Sequence, residues 1–105
     1  MSGNSKIVNV NITFRNTEAT DALRTYASEK VTHCLQKFIH HDTEAHLVLR
    51  VEKNRQIAEI AVHVDGSAIN AKGEGDKLYT AIDNLVDTLQ QQLRKNKEKL
   101  TEHHQ

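Results

Sequence analysis

Three stretches of this sequence alternate with a period of two, and each keeps most of its apolar residues on one parity. Val8, Val10, Ile12 and Phe14 alternate with Asn9, Asn11 and Thr13. Ala45, Leu47, Leu49 and Val51 alternate with His46, Val48, Arg50 and Glu52, and Ala58, Ile60, Val62 and Val64 with Glu59, Ala61 and His63. Period-two alternation rich in β-branched residues marks a half-buried strand. Each such strand has one dry face, and a dry face must be covered. The chain is thereby held to a layered fold in which something packs over one side of a sheet.

Two helical patterns supply the cover. Thr20 can cap a helix, with Asp21 in its first turn favoured by the helix dipole. Leu23, Tyr26, Ala27, Val31, Cys34, Leu35 and Phe38 then recur at spacings of three and four, so the helix ends near Phe38. His40-His41-Asp42 reads as its exit loop. Asn54-Arg55-Gln56 reads as a hairpin turn, and Asp65-Gly66 as a stronger one. A fourth, weaker strand covers Ala68 to Gly73. Gly75-Asp76 introduces a long second helix with the stripe Leu78, Ile82, Leu85, Val86, Leu89, Leu93 and Leu100.

The order is β-α-β-β-β-α, an α+β fold with both helices on one face of a four-stranded sheet. The first helix is a crossover, so strands one and two are parallel if they pair, and the hairpin-connected strands are antiparallel. The other sheet face is open to solvent. At 105 residues, with 37% hydrophobic and 27% charged, the chain reads as one globular domain spanning 1–105, with flexible tails at 1–5 and 101–105. A single cysteine excludes an internal disulfide, and no apolar run approaches the ~20 residues a bilayer span needs. Met1 to Lys6 carries no apolar signal core, so a soluble cytoplasmic protein is expected.

No catalytic constellation emerges. Cys34 lies in the apolar stripe, where a thiol is inert. The histidines have no recognised metal spacing with a third ligand. Gly73-Glu74-Gly75 lacks the ending of a phosphate loop, and its acids would repel an anion, so it reads as a turn and helix cap. Asp83 and Asp87 read as a solvated helix face. The expectation is no enzyme, no metal and no cofactor.

The cations are more informative. The 14 basic and 14 acidic residues cancel, which excludes a bulk polycation but not a segregated surface. With Leu23 at zero and 100° per residue, Lys30, His33 and Lys37 fall between about 280° and 340°, a stripe along one flank of the helix. Arg94, Lys95, Lys97 and Lys99 crowd the end of the second helix against Glu98 alone. Arg50, Lys53 and Arg55 follow the second strand, and Lys72 lies on the fourth. Acids gather instead at Glu74, Asp76, Asp83 and Asp87. Lysines in a last helical turn also suit the dipole. With few aromatics to stack on bases, recognition of RNA shape and phosphate is the natural form of binding.

Several strings carry a family likeness. They are Thr20-Asp21-Ala22-Leu23-Arg24, Leu49-Arg50-Val51-Glu52-Lys53, His63-Val64-Asp65-Gly66, Glu74-Gly75, Tyr79-Thr80-Ala81-Ile82-Asp83 and Gln92 to Leu100. In this order they resemble the short-form ribosome hibernation promoting factors, kin of ribosome-associated inhibitor A in the sigma-54 modulation protein family. The resemblance implies a fold like that of double-stranded-RNA-binding domains. It implies binding to 16S rRNA in the decoding channel of the small ribosomal subunit, where messenger and transfer RNA are blocked. It further implies hibernation as inactive ribosome dimers, with ribosome modulation factor acting in parallel. Relatives commonly have lysine at the position of His33, and some have arginine at that of Gln91, while Arg94 adds a charge nearby.

Under that reading Arg24, Lys30, Lys37, Arg50, Lys53, Lys72, Arg94, Lys95, Lys97 and Lys99 contact rRNA phosphates. The alternative is a protein-interaction module acting on a sigma factor through its open sheet face.

Overall fold

The computed structural model describes residues 6–102, with side chains through residue 98. The order is β1 (Val8–Arg15), α1 (Asp21–Gln36), β2 (Thr43–Glu52), β3 (Arg55–Val64), β4 (Ser67–Gly75) and α2 (Leu78–Glu102). Of the expected tails at 1–5 and 101–105, residues 1–5 and 103–105 lie outside the described residues, as do the side chains of residues 99–102, while 101 and 102 continue α2. The strands form one sheet in the order β1-β2-β3-β4. β1 and β2 are parallel, and the other two pairs are antiparallel. No helix is long and apolar enough to cross a membrane among the described residues.

The alternation places its apolar parity as expected. Ala45, Leu47 and Leu49 of β2 meet Ala58, Ile60, Val62 and Val64 of β3 and Ile69 and Ala71 of β4 under the helices. α1 contributes Leu23, Ala27, Val31, Cys34 and Leu35, and α2 contributes Leu78, Ala81, Ile82, Leu85, Leu89 and Leu93. A leucine buried as completely as Leu85 stabilises the fold by about 1.5–3 kcal/mol. On the edge strand β1, Val8, Val10, Ile12 and Phe14 are only half-buried.

Topology fixes where the helix ends lie. β1 and β4 point the same way, and each is followed by a helix that returns along the sheet. α1 and α2 are therefore parallel, with both C-termini at one end of the molecule. α1 is capped as its sequence suggests: the Leu23 N–H donates to Thr20 Oγ1 at 3.2 Å, and Lys37 closes the helix. α2, at 25 residues, is about 37 Å long. It buries nothing beyond Leu93 among the described residues.

Two local expectations are corrected. The β2–β3 turn is Lys53-Asn54, with Lys53 at φ 54°, while Arg55 and Gln56 already pair with Glu52 and Val51. Left-handed backbone at a lysine is uncommon, which hides this turn from residue-type rules. The other correction concerns Gly73-Glu74-Gly75, which belongs to β4, opposite Ala58, Ile57 and Gln56. Its glycines serve close packing. A Cβ on Gly73 would collide with the backbone of Ala81 and Leu85, so α2 rests directly on the strand there. The Asp65-Gly66 turn is as expected, with φ of 53° and 80° suiting a type I′ hairpin.

Candidate nucleic-acid interface

The parallel helices bring one group of the expected cations together. Lys37 at the end of α1 and Lys97 near the end of α2 line a common cleft of about 50 Å³ with Phe38, His40, Val64, Asp65, Leu93 and Asn96. His40 Nδ1 lies 3.1 Å from Asp65 Oδ1, joining the loop after α1 to the β3–β4 turn. Arg94 and Lys95 are exposed on the neighbouring turn of α2. Lys99 follows in the same helix, its side chain outside the described residues. Lys30 and His33 are exposed along α1 and lead towards Lys37. The Lys30 ammonium sits 5.4 Å from the centre of the Tyr26 ring. Arg24 lies apart, at the start of α1, with its guanidinium 5.2 Å from the centre of the Phe14 ring.

Arg50, Lys53 and Lys72 belong elsewhere. The register sets Arg15, Arg50, Ile57 and Glu74 in one row across the outer sheet face, and Thr13, Val48, Glu59 and Lys72 in the next. Arg50 is shared between Glu52 at 3.6 Å and Glu59 at 3.4 Å. Arg55 grips Glu74 with two bonds, Nε to Oε1 at 3.2 Å and Nη2 to Oε2 at 2.5 Å. That bond, more than the charge of Lys72 3.8 Å away, holds the Glu74 carboxyl below its ordinary range. Ile57, fully buried, lies beneath this charged layer. Lys53 is exposed at the tip of the β2–β3 turn.

The ten expected contacts therefore divide. Lys30, Lys37, Arg94, Lys95 and Lys97 belong to the side where the helices end. Arg50 and Lys72 have much of their charge occupied by glutamates, a pairing that depends on register and is invisible along the chain. Arg15 was missed. The alternation of β1 turns it outward, but only the β1–β2 register shows that it stands beside Arg50.

Cys34 is 2% exposed, and burial pushes its thiol up, away from the reactive thiolate. Asp83, expected to be merely solvated, instead accepts a hydrogen bond from the Tyr26 hydroxyl. No three His, Cys, Asp or Glu side chains converge on one point among the described residues.

Known proteins share both sequence and shape with this chain. A profile of the sigma 54 modulation protein / S30EA ribosomal protein family matches residues 10–101. A ribosome hibernation promoting factor from Klebsiella oxytoca is 43% identical over 94 residues, covering 90% of this chain and 98% of its own. One from Azotobacter vinelandii is 40% identical over 96 residues, covering 91% and 89%. A ribosomal subunit interface protein from Coxiella burnetii superposes with a TM-score of 0.77 at 27% identity, covering 86% of this chain and 98% of that one. The N-terminal domain of Protein Y from Thermus thermophilus gives a TM-score of 0.74 at 30% identity, covering 83% and 97%. With the element order, the sheet topology and these likenesses in agreement, the chain belongs to the sigma 54 modulation protein / S30EA ribosomal protein family.

Proposed function

We propose that this chain is a non-enzymatic ribosome ligand that inhibits translation and promotes hibernation. The observation that carries the reading is the meeting of Lys37 and Lys97 where both helices end, on a fold whose relatives are named for ribosome hibernation. Helix-borne lysines and arginines engage phosphate as point charges or bidentate forks, without reading bases.

In this proposal the domain enters the decoding channel of the small subunit and lies against 16S rRNA. Messenger and transfer RNA are then excluded by volume, and no bond is made or broken. Idle ribosomes are held as inactive dimers, with ribosome modulation factor acting in parallel, and the protein works in the cytoplasm under stress and in stationary phase. The contacts are Arg24, Lys30, Lys37, Arg94, Lys95, Lys97 and Lys99, with Arg50 and Lys72 on the outer sheet face and Lys53 at the β2–β3 turn.

Cosedimentation with ribosomes through sucrose at graded salt tests the proposal. Binding at low salt that falls steeply as salt rises is expected, because phosphate contacts release counterions. Failure to associate at low salt overturns it. Pull-downs with and without ribonuclease separate it from a sigma-factor role, since only ribosomal recovery depends on RNA.

A further inference from the structure

We propose that Arg15 and Arg50 form a phosphate site of their own on the outer sheet face, taking an RNA backbone segment other than the one at the helix ends. The proposal rests on the ribosome-binding reading above and adds a second contact surface to it.

The register carries the inference. Arg15 and Arg50 are direct neighbours across the parallel β1–β2 pair and project from the same face. Like charges opposite one another on a sheet destabilise it, and side-chain choice ordinarily avoids them. Here the repulsion is only partly offset. Glu52 and Glu59 engage the two Nη atoms of Arg50, but no carboxylate lies within ion-pair distance of Arg15 among the described residues. Arg50 Nε is shut off from solvent and has no hydrogen-bond partner among the described residues. A phosphate beside Arg15 relieves the repulsion, and a guanidinium turning towards it gains an acceptor for Nε.

The surroundings favour an anion with an extended backbone. Of Arg15, Arg50, Lys53, Arg55 and Lys72, three are paired with Glu52, Glu59 or Glu74, while Arg15 and Lys53 have no carboxylate within ion-pair distance among the described residues. The outer face of β1 is Asn9, Asn11, Thr13 and Arg15, without a carboxylate. Glu44 of β2 stands beside Asn9 and accepts from Asn11 at 2.7 Å, so a phosphate segment reaches Arg15 past Thr13 rather than along the whole of β1. The outer face carries no Phe, Tyr or Trp among the described residues, and its imidazoles His46 and His63 lie rows away from Arg15, so the contact is to phosphate rather than to bases.

The experiment compares ribosome binding by wild type, Arg15→Ala, Arg15→Lys, Lys97→Glu and the Arg15→Ala/Lys97→Glu pair across a salt series. Arg15→Ala is expected to weaken binding roughly three- to tenfold and to lower the log–log salt slope by about 0.9, the signature of one phosphate no longer neutralised. Its melting temperature should be at or slightly above the wild-type value, because Arg15 is exposed and its loss removes the repulsion with Arg50. Arg15→Lys should keep the slope and lose part of the affinity. In the pair the fold-losses should multiply, as for independent sites. Wild-type affinity and slope in Arg15→Ala, or losses that fail to multiply, overturn this site and leave the ribosome reading standing. A wild-type protein that does not bind ribosomes overturns both.

Discussion

The hydroxyl of Tyr26 on α1 donates a 2.6 Å hydrogen bond to Asp83 on α2, closing the exposed seam between two parallel helices. Tyr79 completes the contact, its ring at 75° to that of Tyr26 with centroids 5.0 Å apart. The bond to the carboxylate, ahead of any burial, raises the Tyr26 pKa above its ordinary value of 10.0. The folded state therefore keeps this proton to higher pH than the unfolded chain does. The resulting stabilisation is complete below about pH 10 and is lost as pH rises through the folded value. Tyr26→Phe should melt slightly below wild type at neutral pH, with the gap closing under strong alkali. Superimposable melting curves across that range would show that the bond contributes nothing.

Arg55 and Glu74 give the opposite sign. Because Arg55 lowers the Glu74 pKa, the pair stabilises the fold above the unfolded carboxylate value and fades as pH falls through the folded one. In Arg55→Ala the Glu74 carboxyl should titrate nearer the usual range of about 4.3, which carboxyl-carbon NMR reads directly. An unchanged midpoint would refute Arg55 as the cause.

Gly73 should tolerate almost nothing. Its added Cβ would lie 2.8 Å from Leu85 Cα and closer still to the backbone of Ala81, atoms that cannot move without shifting α2. Gly73→Ala is expected to cost about 1–3 kcal/mol or more in urea denaturation. Gly75→Ala meets first the Thr80 side chain at 2.7 Å and then the Ala81 nitrogen at 3.1 Å, and should cost less. Equal losses at the two positions would contradict the direct seating of α2 on β4.

Reversing Lys95 and Lys97 to glutamate should leave the fold intact, because both residues are exposed. Ribosome affinity should fall at least tenfold, and the salt slope by roughly 0.9 for each phosphate that the helix no longer engages. The check is cosedimentation alongside a melting curve. Undiminished affinity would remove this turn of α2 from the interface.

Much of the fold is legible in the residues themselves. The alternation from Val8 to Phe14, the Thr20 cap and the Asp65-Gly66 turn are local signals, and each lands where the chain pattern puts it. What one strand cannot reveal is its neighbour. The turn at Lys53-Asn54 escapes because a lysine takes the backbone angles usually left to glycine or asparagine. Gly73 looks like loop chemistry until α2 is laid across it. The candidate interface divides the same way. The helix-end lysines follow from helical spacing once the helices are known to be parallel. The pairing of Arg50 with Glu52 and Glu59, and the place of Arg15 beside it, exist only in the β1–β2–β3 register.

The far part of α2 separates two properties that most surfaces entangle. Past Leu93 the helix sinks no side chain into the core among the described residues, so folding places few demands on which residues stand there. Under the proposed function, exchanging basic residues on that stretch should change ribosome affinity with little effect on stability. Selection on that stretch therefore acts through binding rather than through folding, as a grip carried by a fixed body.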